Sequence, residues 1–196
     1  MTSLQSVYSD IHALGSSVPI RAAYEVSKRS GLHSVLFGMK RAVPKMRSTA
    51  LRQVQFVIGI GTGKTRRIID ERLRSAGFTA ATLVHPAATL GHDVRIGQGS
   101  IICAGVRATT NISLGRHVHL NINTTVGHDC TLKDYVTVNP LVAISGGVTI
   151  GAEAMLGTHS AILQNLAVGE RSVVGAGSCV VKDVPGDTVV KGVPAR

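Results

Sequence analysis

From residue 84 the chain reads VHPAAT (84–89), LGHDVR (90–95), IGQGSI (96–101), ICAGVR (102–107), ATTNIS (108–113), LGRHVH (114–119), LNINTT (120–125), VGHDCT (126–131), and so on to VVKDVP (180–185). Of the seventeen six-residue blocks between Val84 and Pro185, sixteen open with Val, Ile or Leu, and only Ala108 departs. Gly holds the second place in eight of them, from Gly91 to Gly175. The fifth place is small or β-branched, as in Val94, Ser100, Val106, Val118, Thr124, Val136, Ser160 and Ser172. No block is longer or shorter than the rest.

A period of six suits neither a helix nor an isolated strand. It suits a solenoid of short parallel strands joined by fixed corners. Six residues at about 3.3 Å each give a flat side of about 20 Å, and three sides close one coil. The first and fifth residues then point inward, and Gly is expected to relieve a corner where φ turns positive. A β-sandwich would alternate too, but its loops vary in length and would break the register.

The segments HPAATLGHDVRIGQGS, LNINTTVGHDCTLKDYVTV, SGGVTIGAEAMLGTHSAI and VVGAGSCVVKDVPGDTVVKGVPAR resemble the left-handed β-helix acyltransferases. Within these they are similar to the NeuD/PglD branch of sialic acid O-acetyltransferases and nucleotide-amino-sugar N-acetyltransferases. The likeness spans residues 53–196 and is sharpest at GHDC and at the closing GVPAR. It implies the left hand of the coil, acetyl-CoA as acyl donor, a sugar or amino-sugar acceptor, and a homotrimer with the coenzyme between neighbouring prisms.

The expected fold is therefore mainly β: a parallel β-helix over 84–196, preceded by a small, incomplete Rossmann-like α/β region over 1–83. Within the latter, QVQFVIGI reads as a strand, GTG as a turn, KTRRIIDERLRSAG as a helix stopped by Gly77, and FTAATLV as a second strand. Ile68, Ile69, Leu73 and Ala76 share one face of that helix. Residues 1–52 hold no persistent period; Ala22 to Val26 and Val35 to Met39 read as short helical or strand pieces. The strand and Gly-rich turn that open related chains are not visible there. The string Gly59 to Thr65 falls one residue short of a P-loop and leads into no acidic strand, so its amides offer at most an anion seat at a helix start.

Composition bounds the rest. Three Cys (103, 130 and 179) supply no disulfide framework, which suits a reducing cytoplasm. Cys130, at a fifth place, reads as a small core residue. No signal peptide or membrane-length apolar run is visible. The net charge is +10, and residues 1–55 carry eight Lys/Arg against Asp10 and Glu25. Without aromatic stacking residues or a recognised motif this basic surplus fits phosphorylated ligands better than nucleic acid.

The chemistry falls on His128. It stands third in its block and projects outward, with Thr110 one coil before it and Gly146 one coil after. Asp129 is at hand to orient the ring, and Gly146 leaves a notch with an uncovered amide; a base beside a carboxylate and a free N–H is what acyl transfer needs. The family likeness assigns the same roles: His128 as general base, Asp129 as the neighbour that raises its basicity, and the Gly146 amide facing the thioester oxygen. It further places Thr158, Ala176, Thr137 and Gly146 along the coenzyme, with Thr137 where some members carry a second His. No activated Ser or Cys favours an acyl-enzyme. Two other readings are a non-catalytic scaffold and a γ-carbonic-anhydrase-like zinc enzyme. The latter has only His117 and His119 to offer, with no evident third ligand, and no metal is expected.

Overall fold

The structure is a computed structural model, and it describes the strand Ala23–Tyr24 and residues 55–196. From Leu83 onward the chain winds as a three-sided parallel solenoid. The first side carries seven strands, from Leu83–Val84 to Val189–Val190. The second carries six, from Thr89–Leu90 to Cys179–Val180, and the third five, from Val94–Ile96 to Ala167–Val168. Strands pair in register with the coil before and after, as Thr131 with Thr149 and Leu132 with Ile150, a step of eighteen residues.

The inward positions are those of the repeat. Ile102, Leu114, Leu120, Val126, Leu132, Val138, Ile144 and Ile150 are all at most 5 % exposed, and Val106, Val118, Thr124, Val136, Ser160 and Ser172 are buried beside them. Val94 and Ile96, in the first coil, are half-buried against the same core. Each buried aliphatic side chain is worth roughly 1.5–3 kcal/mol of transfer free energy. Because each coil covers the next, the core is a continuous stack.

The second-place glycines act differently from the expectation, whereas Gly99, Gly105, Gly147 and Gly177, fourth in their blocks, do turn φ positive. Left-handed φ falls on the fourth place of the block, at Asp93, Asn111, Asn123, Asp129, Asn165 and even Tyr135, Leu141 and Arg171. Asn and Asp tolerate that region, whereas the bulkier residues pay about 1–2 kcal/mol for it, so the coil dictates the corner against local preference. The second-place glycines serve close stacking instead. A Cβ at Gly127, Gly151, Gly157 or Gly169 would run into the backbone one coil further on.

The register also changes at the end. Val184 bridges Val168, and Val189 pairs with Val173, each sixteen residues on rather than eighteen. The block VVKDVP is thus cut short at its corner, and Val184 takes the inward position two residues early. The tail then crosses the second side, where Ala195 N donates to Cys179 O (2.8 Å) and Cys179 N to Gly192 O (3.0 Å).

Ahead of the solenoid, β1 (Ala23–Tyr24), β2 (Gln55–Ile58), α1 (Gly63–Ser75) and β3 (Thr79–Ala80) form a three-stranded parallel sheet with one helix. Val35 to Met39 lies outside the described residues. The stretch FTAATLV splits: β3 pairs with β2, while Leu83–Val84 already joins the first side of the solenoid. Helix α1 stops at Gly77 (φ +85°), with Arg72 and Arg74 in its last turn near the negative end of the helix dipole. Its buried face is Gly63, Arg66, Ile69, Asp70 and Leu73; Ile68 is half-buried and Ala76 exposed. Two charged residues therefore occupy a face read as apolar.

Candidate active site

His128 and Gly146 sit on the edge between the second and third sides. The corner before Thr131 carries Gly127, His128 and Asp129; the corner one coil later carries Ser145 and Gly146. The Nε2 end of the imidazole closes on Gly146: a Cβ there would be 2.5 Å from Nε2 and 2.6 Å from Cε1. Only glycine leaves the ring this place. Its Nδ1 is 2.6 Å from Asp129 Oδ2, and both side chains are more than half exposed. The other carboxylate oxygen, Oδ1, accepts from Asn111 Nδ2 at 2.6 Å. The bond to His128, and then that from Asn111, hold the Asp129 carboxyl below the usual carboxylate range. With Nδ1 committed to Asp129, Nε2 is the nitrogen left to take a proton above the Gly146 backbone. Cys130 points inward as expected, its thiol donating to Ser145 O at 3.1 Å and pushed up by burial.

Thr158 and Ala176 are stacked on a different edge, between the first and second sides, one flat side or about 20 Å from His128. Thr137 lies on the first side, opposite the His128 edge and under α1. Its hydroxyl donates to Gly61 O (2.6 Å) and accepts from Arg66 Nη1 (2.9 Å), and it is 4 % exposed. Of the residues singled out from sequence, the fold thus brings His128, Asp129 and Gly146 together and leaves the other three elsewhere.

The junction that holds Thr137 escaped the sequence reading. Arg66 is wholly buried. Its guanidinium donates to the carbonyls of His117, Ile60, Gly61, Tyr135 and Val136 and to Thr137. Burial pulls its pKa down to about 9, which still leaves it charged at neutral pH. One turn on, Asp70 accepts from Tyr135 OH (2.7 Å) and from Arg116 (2.9 and 3.0 Å). His117, ring-stacked between Phe56 and Tyr135, brings Nε2 to 3.1 Å from Asp70 Oδ1, off-line for a hydrogen bond. Arg67 adds a contact to Glu153 at 2.6 Å. His117, Tyr135 and Glu153 follow one another at eighteen-residue steps, so α1 docks along the third edge of the prism. His117 and His119 therefore belong to this junction. Among the described residues no group of three His, Cys, Asp or Glu could hold a metal ion, and no helix is long and apolar enough to cross a membrane. The signal available in sequence was Arg66 and Asp70, four residues apart and beside Ile69 and Leu73 on one helix face.

No family model matches the chain. GDP-perosamine N-acetyltransferase from Escherichia coli is 35% identical over 147 residues, 72% of this chain and 66% of that protein, so the chain spans just under two thirds of its length. A perosamine N-acetyltransferase variant from Caulobacter crescentus, solved with CoA and GDP-perosamine, superposes with a TM-score of 0.80 at 26% identity, covering 98% of this chain and 90% of that one. The acetyltransferase domain of PglB from Neisseria gonorrhoeae, solved with acetyl coenzyme A, gives 0.79 at 28% identity, over 98% and 92%.

Proposed function

Since the chain belongs to the hexapeptide-repeat sugar acetyltransferases, we propose that it moves an acetyl group from acetyl-CoA to the amino group of a nucleotide-linked amino sugar. His128 is the general base. The observation that carries this reading is the imidazole lying over Gly146 with Nδ1 held by Asp129. The relatives solved with CoA, acetyl-CoA and GDP-perosamine support the substrate classes.

In the proposed step the acceptor amine attacks the thioester carbonyl and gives its proton to His128 Nε2. The Asp129 carboxylate stabilises the imidazolium that forms. The developing oxyanion is assigned to the Gly146 N–H, and collapse expels the coenzyme thiolate, which takes up a proton. Thr158 and Ala176 are assigned to the coenzyme. Thr137, its hydroxyl already shared between Arg66 and Gly61, is assigned to the α1 junction rather than to the coenzyme. One convex prism offers no second wall, so the reading includes a homotrimer with the coenzyme between neighbouring copies.

The test is His128→Ala with a panel of nucleotide-linked amino sugars, sialic acid and simple amines, read by release of free thiol. The kcat should fall by about 10² to 10⁴, the usual cost of removing a general base. Acetyl-CoA affinity, measured by calorimetry, should hold. Full activity of the variant on any acceptor used by the wild type would sink the assignment. No binding of acetyl-CoA at millimolar concentration would return the scaffold reading.

A further inference from the structure

The tripeptide Gly-His-Asp occurs twice on the same edge, at 91–93 and at 127–129, two coils apart. Asp93 and Asp129 share the left-handed corner conformation, at φ +53° and +59°. The two copies differ in their neighbours. One coil after His92 stands Thr110, whose hydroxyl donates to His92 O at 2.9 Å, so there is no notch. The Asp93 carboxylate, by contrast, is 3.3 Å from the exposed Arg95. One coil before Asp129 stands Asn111, which donates its side-chain N–H to Asp129 Oδ1 at 2.6 Å.

We propose that Asn111 is a positioning residue that fixes the orientation and tautomer of His128 through Asp129. This rests on the reading of His128 as the base. A lone His–carboxylate contact at a solvated corner is weak and shifts easily. Here the carboxylate is gripped at both oxygens: Asn111 Nδ2 holds Oδ1 and leaves Oδ2 for the imidazole Nδ1–H. The carboxylate only accepts, so the amide must present its NH2 group. Asn111 is itself anchored, its N–H donating to His92 O at 3.1 Å, while Asp129 N donates to Thr110 O at 3.1 Å. The chain Asn111–Asp129–His128 therefore runs between two adjacent coils and ends with Nε2 bare over Gly146. Asn111 adds no charge to the edge. Asp129 is the nearest ionised partner of the ring, since Thr110 and Gly146 carry none and the Cys130 thiol points into the core.

Two variants separate donor from shape. Asn111→Gly removes the amide and, because φ there is +54°, introduces no backbone strain. Asn111→Asp keeps the shape, loses the amide donor and sets a second carboxylate against Asp129. Nitrogen-15 NMR of the His128 ring at pH 8, without acceptor, should show the Nδ1–H tautomer dominant in the wild type and depleted in both variants. Thiol-release assays should show kcat lower by about three- to tenfold, what one hydrogen bond to a solvated group is worth, with the KM for acetyl-CoA unchanged. His92→Ala should leave both readouts as in the wild type. A wild-type tautomer ratio in both Asn111 variants overturns the proposal, whether or not kcat falls. A shifted tautomer with unchanged kcat overturns it too. Because the NMR needs no turnover, failure of His128 as the base would show separately, as activity retained in His128→Ala.

Discussion

Gly146→Ala is the substitution that tests the edge most directly. The backbone at Gly146 is not left-handed, so alanine meets no conformational barrier. The obstacle is the ring. The new methyl would stand 2.5 Å from His128 Nε2, 2.6 Å from Cε1 and 3.0 Å from Cδ2. Ordinary contact begins near 3.4 Å, so the imidazole must retreat by about 0.9 Å. Moving it pulls Nδ1 from Asp129, now at 2.6 Å, and puts carbon where the acyl oxygen would approach. A displacement of about 1 Å at a reacting group costs on the order of 10²-fold in rate. We therefore expect kcat to drop about 10²-fold by free-thiol release. The melting temperature should stay within a few degrees, because the ring is solvated and can swing outward. Activity within threefold of wild type would refute the geometry. So would a large loss of stability, which would mean the ring is locked in the fold rather than poised above it.

Arg66→Ala should strip one cation from six acceptors, four of them in buried hydrogen bonds, and lower stability by about 3 kcal/mol. The damage should be local, with hydrogen exchange showing α1 released while the solenoid stays protected; a loss below about 1 kcal/mol would discount the junction. Acid should act at the same place. His117 and His119 are held below the ordinary 6.5 mainly by burial. The unfolded chain therefore binds protons first, and stability falls as pH drops below about 6.5, by up to about 1.4 kcal/mol per pH unit for each histidine. Urea midpoints that stay level from pH 7 to pH 5 would contradict this.

The solenoid was legible because its physics is one-dimensional: an inward aliphatic every six residues without a break calls for equal sides and fixed corners, and adding eighteen to His128 lands on Gly146. The same sum run backwards from Asp129 finds Asn111, but hydrogen bonds between corners leave no mark in a hydropathy pattern. The second-place glycines were placed correctly and explained wrongly, since sequence alone does not separate a glycine needed for φ, as at Gly99 and Gly147, from one needed for close approach. Arg66 and Asp70 were opaque for another reason. A charged residue on an amphipathic helix is ordinarily solvated, and only the docked prism supplies the carbonyls and the Arg116–Tyr135 pair that make burial tolerable. The shortened last coil depends on Val184 pairing two residues early, a choice made by contacts with Val168 and not by composition.

The eighteen-residue step also sets which insertions and deletions the gene can survive. Losing one codon between Val84 and Val180 turns every later inward side chain toward a corner or toward water. Losing a whole coil restores each to its place and only shortens the prism by about 4.8 Å. A coil removed beyond Gly146 leaves the pair His128 and Gly146 intact. A coil removed just after His128, residues 129–146, would take Asp129 and Gly146 with it and seat Gln164 against the imidazole. The site thus has a rigid internal spacing and a free height on the axis, so lineages can lengthen or trim the prism without disturbing the edge that carries His128.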